Sequence, residues 1–92
     1  MRILYVEDNP FDVELTSREL SRRIPTLQLA IRTTVAAGMA ELEEQAGYDV
    51  VLTDLRLPDG SGLDIVNLVR GRNLPSAVIV LTGQGDEEIA VA

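Results

Sequence analysis

The chain has 92 residues, a length that suits one small domain whose core is barely large enough to hold it together. Apolar residues make up 46% and charged residues 25%, as in ordinary globular domains, and no apolar run approaches the length a bilayer requires. Fifteen acidic residues against eight basic ones give a net charge of −7, which disfavours nucleic-acid phosphates as direct partners.

The absent residue types narrow the chemistry further. Without Cys there are no disulfides, thiolate nucleophiles or Cys-based zinc or iron–sulfur sites. Without His the commonest general base is missing, and so is any phosphohistidine on this chain. All eight basic residues are Arg; there is no Lys. Carboxylate, hydroxyl and backbone-amide chemistry remains, an inventory that suits hard cations and phosphoryl groups. No signal peptide precedes Ile3, so the expectation is a cytoplasmic chain without membrane association.

In chain order, Ile3-Leu4-Tyr5-Val6 reads as a strand buried on both faces, stopping at Glu7-Asp8-Asn9-Pro10. Asn9-Pro10 signals helix entry, and Phe11 to Arg23 reads as a helix with Val13, Leu20 and Ile24 on one stripe, ended by Pro25. Leu27, Leu29 and Ile31 alternate with Gln28, Ala30 and Arg32, the period of a partly exposed edge strand. A second helix follows from about Val35 to Gln45, weakened by Gly38, with Gly47 at its stop.

Asp49 to Thr53 forms the next strand and ends at Asp54. The stretch Leu57-Pro58-Asp59-Gly60-Ser61-Gly62 is the strongest turn signal in the chain. Leu63 to Arg70 reads as a third helix facing the core through Leu63, Val66 and Val69 or Arg70. Ala77-Val78-Ile79-Val80-Leu81-Thr82 is a further apolar strand. After Gly83-Gln84-Gly85, the acids Asp86-Glu87-Glu88 read as the start of a helix.

Strands alternating with helices predict an α/β fold, a doubly wound parallel sheet covered on both faces. Right-handed crossovers put all strand C-terminal ends along one edge, where such sheets bind ligands. The three apolar strands finish in Glu7-Asp8, Asp54 and Thr82, gathering three carboxylates and a hydroxyl. A carboxylate at the mouth of a buried strand is costly unless it has a partner, a cation or a function. Asp54 is therefore the expected centre of the site.

Three motifs in order and spacing now carry a family resemblance: Ile3 to Pro10, Asp54 with Leu57-Pro58-Asp59-Gly60-Ser61-Gly62, and Val80-Leu81-Thr82-Gly83. Together they resemble the receiver domain of two-component response regulators, over essentially the whole chain. The resemblance implies the flavodoxin-like strand order 2-1-3-4-5, of which four strands (2-1-3-4) are expected here. It implies that Asp54 is the phosphoacceptor, taking its phosphoryl group from a histidine kinase or histidine phosphotransfer protein. Mg²⁺ is implied on Glu7, Asp8, Asp54 and the main-chain carbonyl of Arg56. Thr82 would bond a phosphoryl oxygen and move inward as a conformational switch. Such a domain is a signalling module and not an enzyme, beyond assisting its own phosphorylation and dephosphorylation.

The chain departs from the family pattern in two ways. It has no Lys for the position that pairs with the phosphoryl group, and it stops before a fifth strand and fifth helix. Truncation and natural degeneration both explain this; truncation is favoured because Asp86 to Ala92 begins a helix without a stop signal. Residues 1–92 are thus expected to be one receiver domain, incomplete at its C-terminus. An unprotected fourth strand, Val78-Ile79-Val80-Leu81, would invite self-association. Two other readings compete. One is a degenerate receiver serving as an interaction or dimerisation module without phosphoryl transfer. The other is a metal-dependent phosphohydrolase, disfavoured because Arg56 stands where a second acid belongs. Whichever reading holds, Asp59 and Gly60 read as turn chemistry, Asp12 as a first-turn helix charge near the acidic site and the Arg56 side chain as solvent-facing.

Overall fold

The structure is a computed structural model, and it describes residues 1–82 and 89–91. The elements are β1 (Arg2–Val6), α1 (Pro10–Arg23), β2 (Gln28–Arg32), α2 (Val35–Glu44), β3 (Val50–Asp54), β4 (Arg56–Leu57), β5 (Gly60–Ser61), α3 (Gly62–Gly71), β6 (Ala77–Leu81) and β7 (Ile89–Val91). One sheet runs β2-β1-β3-β6-β7, its first four strands parallel, so the expected 2-1-3-4 order is present with β6 as fourth strand. A separate short hairpin, β4-β5, interrupts the connection from β3 to α3.

The run-like strands sit where their composition requires. Leu4, Val6, Val51, Val78 and Val80 point to one face of the sheet and are buried there with Ile65, Val66 and Val69 of α3 and Val35 and Leu42 of α2. Gly38, expected to weaken α2, is instead what lets that helix dock: a Cβ there would lie 2.9 Å from Val6 Cγ2 and 3.4 Å from Ile65 Cδ1. The propensity cost of glycine is offset by close packing at the centre of the sheet. The opposite face is covered less fully. Ile3 and Tyr5 are buried, whereas Leu52, Ile79 and Leu81 are half-buried and no side chain of α1 is fully buried.

Tyr48 closes the bottom of the core. Its hydroxyl donates to Glu41 Oε2 at 2.5 Å, and Glu41 Oε1 accepts from Arg32 at 2.8 Å. The Arg2 guanidinium lies 4.6 Å from the centre of the Tyr48 ring and donates to the Ala46 carbonyl at 2.6 Å. These bonds hold the Glu41 carboxyl below its usual range, with the Tyr48 hydroxyl as the largest cause.

Several expectations need correction. Ile89–Val91 is a strand, not a helix, and pairs antiparallel with β6 (Ile79 opposite Val91, Leu81 opposite Ile89). Three apolar residues gain ladder hydrogen bonds there, while a short helix must first offset its nucleation cost. The β6 edge is consequently not bare, which removes the basis for self-association through it. The helix start expected at Asp86-Glu87-Glu88 lies outside the described residues. In α3 the core face is carried by Ile65, Val66 and Val69, while Leu63 is 53% exposed. The buried stripe runs through Gly62, Ile65, Val66 and Val69, and Leu63 lies about 100° round the helix from Gly62, outside it.

Candidate metal centre

The site begins with parallel register. Val6 pairs with Thr53, so the residues that follow, Glu7 and Asp54, emerge side by side from β1 and β3. Asp8 joins them from the same turn. One carboxylate oxygen from each of Glu7, Asp8 and Asp54 lies within 4.8 Å of the others. Glu7 is buried, at 5% exposure, Asp54 is half-buried and Asp8 is exposed.

The turn after β1 is set by Asn9. Its side-chain oxygen caps α1 by accepting from the Phe11 amide at 2.9 Å and the Asp12 amide at 3.3 Å. Its own amide donates to Glu7 Oε1 at 3.1 Å. Burial nevertheless pushes the Glu7 carboxyl up to about 7; the Asn9 amide opposes this, and the charges of Asp54, Asp12 and Asp8 add to it. Asp12 is thus within electrostatic reach of the site as well as a first-turn helix charge. Asp54 is also raised, first by burial and then by Asp8, against the Leu55 amide that donates to its Oδ1 at 2.9 Å. Carboxylates held together against such opposition fit a hard divalent cation, which offsets their repulsion and prefers oxygen ligands.

Beyond Asp54 the chain turns through the β4-β5 hairpin, where Arg56 pairs with Ser61 and Leu57 with Gly60. The Arg56 side chain is exposed, as anticipated. The Gly62 amide donates to the Leu55 carbonyl at 2.9 Å, folding the loop back on the strand end. This approach needs glycine: a Cβ on Gly62 would fall 2.3 Å from the Asp54 carbonyl oxygen. Ser61 starts α3 with a capping box, accepting from the Leu63 amide at 3.1 Å while Asp64 accepts from the Ser61 amide at 3.2 Å. Thr82 follows Leu81, the register partner of Asp54, and is half-buried. Gly83 lies outside the described residues.

Two residues escaped the sequence reading. Thr53 is fully buried, and its hydroxyl donates to the Asp54 carbonyl at 2.9 Å; an ordinary β-former in sequence, it carried no sign of this bond. Asp59, read as local turn chemistry, reaches across to α2, where its two oxygens accept from the Val35 amide at 2.8 Å and the Ala36 amide at 3.0 Å. No local pattern announces a cap supplied from more than twenty residues away.

Residues 3–92 match the response regulator receiver domain family. The chain belongs to that family. The receiver domain is 39% identical over 90 residues to the photosynthetic apparatus regulatory protein RegA of Rhodobacter capsulatus, covering 98% of this chain and 47% of that protein. It is 36% identical over 89 residues to the acid tolerance regulatory protein ActR of Rhizobium meliloti (strain 1021), covering 97% of this chain and 44% of that one. The chain therefore spans less than half the length of these relatives. The solved structure of the MaeR response regulator bound to beryllium trifluoride superposes with a TM-score of 0.77 at 30% identity, over 94% of this receiver domain and 70% of that chain. Among the described residues, no helix of the receiver domain is long and apolar enough to cross a membrane.

Proposed function

We propose that this receiver domain accepts a phosphoryl group on Asp54 from a phosphohistidine of a histidine kinase or histidine phosphotransfer protein, with Mg²⁺ held by Glu7, Asp8, Asp54 and the Arg56 carbonyl. The observation that carries this reading is the convergence of three carboxylates, within 4.8 Å, on the ends of neighbouring strands. Membership of the receiver family and the −7 charge, which turns nucleic acid away, support it. The reading places the domain in the cytoplasm, as a phosphoacceptor and not an enzyme in its own right.

In the transfer, an Asp54 carboxylate oxygen forms the bond to phosphorus. The bond from phosphorus to the histidine nitrogen breaks, and its electron pair stays with the imidazole, which takes a proton. When bound, Mg²⁺ supplies the charge neutralisation that a weak carboxylate nucleophile needs. The Leu55 amide fixes the Asp54 carboxylate for attack by holding Oδ1 at 2.9 Å. Thr82, at the end of the adjacent strand, donates to a phosphoryl oxygen and shifts inward, moving the population between two packings. Residues 1–92 contain no Lys to pair with the phosphoryl group. A second reading is an interaction module that holds metal without transferring phosphoryl groups.

The test is incubation with acetyl phosphate and Mg²⁺, with the acyl phosphate followed by mass spectrometry and metal binding by Mn²⁺ paramagnetic resonance. Mg²⁺-dependent labelling that disappears in Asp54→Asn is expected. Labelling that persists in Asp54→Asn would refute the assignment of the phosphoacceptor. Mn²⁺ binding without any labelling would favour the interaction module, and absence of Mn²⁺ binding would overturn the metal centre.

A further inference from the structure

The hydrogen bonds of Asp59 are not used by the reading above. Its carboxylate takes the amides of Val35 and Ala36, the first two residues of α2, while the Thr34 hydroxyl oxygen takes the Ala37 amide at 3.0 Å. The helix already has a local cap in Thr34, of the kind that ordinarily suffices. A second, remote carboxylate does something a local cap cannot: it ties two separate segments together. The two amides hold the Asp59 carboxyl below its ordinary range, so the tie is made in its ionised form.

What is tied matters because of where the hairpin leads. Asp59 sits at the hairpin tip, between the paired residues Leu57 and Gly60. At the other end the Gly62 amide bonds the Leu55 carbonyl, and the Leu55 amide bonds Asp54 Oδ1. Leu57 packs against the buried core cluster, and a Cβ on Gly60 would lie 3.5 Å from Val35 Cγ2, so the hairpin tip also lies close to the start of α2. A displaced tip therefore moves the main chain from Leu55 to Arg56. We propose that Asp59 is a positioning residue for the metal centre, latching the β4-β5 hairpin to α2 and so setting where the Arg56 carbonyl stands relative to Asp54. The role rests on the reading of Asp54 and the Arg56 carbonyl as metal ligands. The same latch makes the first turn of α2 follow the phosphoacceptor loop.

Thr34 provides the control, since Thr34→Ala uncaps the same helix without touching the hairpin. Mn²⁺ affinity is measured by paramagnetic resonance for the parent chain, Asp59→Ala, Asp59→Asn and Thr34→Ala, alongside urea unfolding of each. Asp59→Ala is expected to weaken Mn²⁺ binding about tenfold, the usual scale for residues that orient a ligand. Thr34→Ala is expected to lose stability with Mn²⁺ affinity unchanged, and Asp59→Asn, which keeps one acceptor oxygen, to fall between. Equal Mn²⁺ affinities for Asp59→Ala and Thr34→Ala would overturn the proposal. A parent chain that does not bind Mn²⁺ overturns the metal reading and this role with it; a parent that binds no better than Asp59→Ala overturns this role alone. Amide exchange of the metal-free chains gives a second readout. Faster exchange of the Gly62 amide in Asp59→Ala but not in Thr34→Ala supports the latch, and equal exchange in both refutes it.

Discussion

Gly62→Ala sets two physical effects of opposite sign against each other. Gly62 is the first residue of α3, and alanine is better than glycine in a helix by up to about 1 kcal/mol. Propensity alone therefore has the substitution stabilise the domain. The structure argues the reverse, because the new Cβ would lie 2.3 Å from the Asp54 carbonyl oxygen and 3.0 Å from Thr53 Cγ2. Restoring an ordinary contact needs a shift of about 1 Å. The obstacle is main chain at the end of a strand paired on both sides, which cannot rotate away. Overpacking of this kind costs about 1–3 kcal/mol, enough to outweigh the propensity gain, and the displaced carbonyl also strains its bond from Thr53. Gly71→Ala is the matched control: it lies in the same helix and its Cβ would meet nothing within 4 Å. It should stabilise by roughly 0.5 kcal/mol. Urea unfolding followed by circular dichroism reads both as midpoint shifts at constant slope. A Gly62→Ala chain as stable as the parent would refute the close approach of α3 to the end of β3.

Two further outcomes follow from the charges. Glu7 has its folded carboxyl raised from 4.5 to about 7, so the folded state keeps a proton that the unfolded chain has released, and metal-free stability should fall as pH rises across that window. The contribution is complete below the lower value; Glu7→Gln should flatten the slope, and added Mg²⁺ should restore stability above the upper value, all read from urea midpoints against pH. Tyr48→Phe removes the hydroxyl on Glu41 and should cost about 1 kcal/mol. An NMR titration should then show the Glu41 carboxyl moving up toward its ordinary value, so the stability that its lowered pKa confers above that range is smaller; an unmoved Glu41 would rule out the bond.

The central strands were legible because strands inside a parallel sheet meet apolar partners on both faces and read as continuous apolar runs. Ile3–Val6 and Val78–Leu81 do so, although Ile79 and Leu81 are only half-buried. The acidic centre was legible for a related reason. A parallel sheet presents all its strand ends on one edge, so Glu7, Asp8 and Asp54 had to meet once the strands were placed. Asp59 could not be found this way, since its partners depend on how far the hairpin leans over α2. Leu63 was misjudged because the stripe was drawn through it and Val66, whereas the buried one is centred on Gly62, Ile65 and Val69, about 100° away. Gly38 was misjudged because propensity describes a helix in isolation, and this one is pressed against Val6. Ile89–Val91 went to the sheet because pairing with β6 satisfies backbone groups that the local sequence assigned to a helix.

α1 differs from the other two helices in how it is held. It buries no side chain fully, turns Phe11 and Leu15 toward solvent, and carries surface ion pairs of Arg18 with Glu14 and of Arg22 and Arg23 with Glu19. Exposed pairs of this kind add little stability. A helix so lightly anchored opens before the sheet does. Its first turn, however, hangs from Asn9, whose amide is bonded to the buried Glu7. This lightly anchored helix and the acidic centre thus share a hinge. Under the proposed metal reading, detachment of α1 would loosen the hold on Glu7, and a cation bound at the end of β1 would tether the helix that begins beside it.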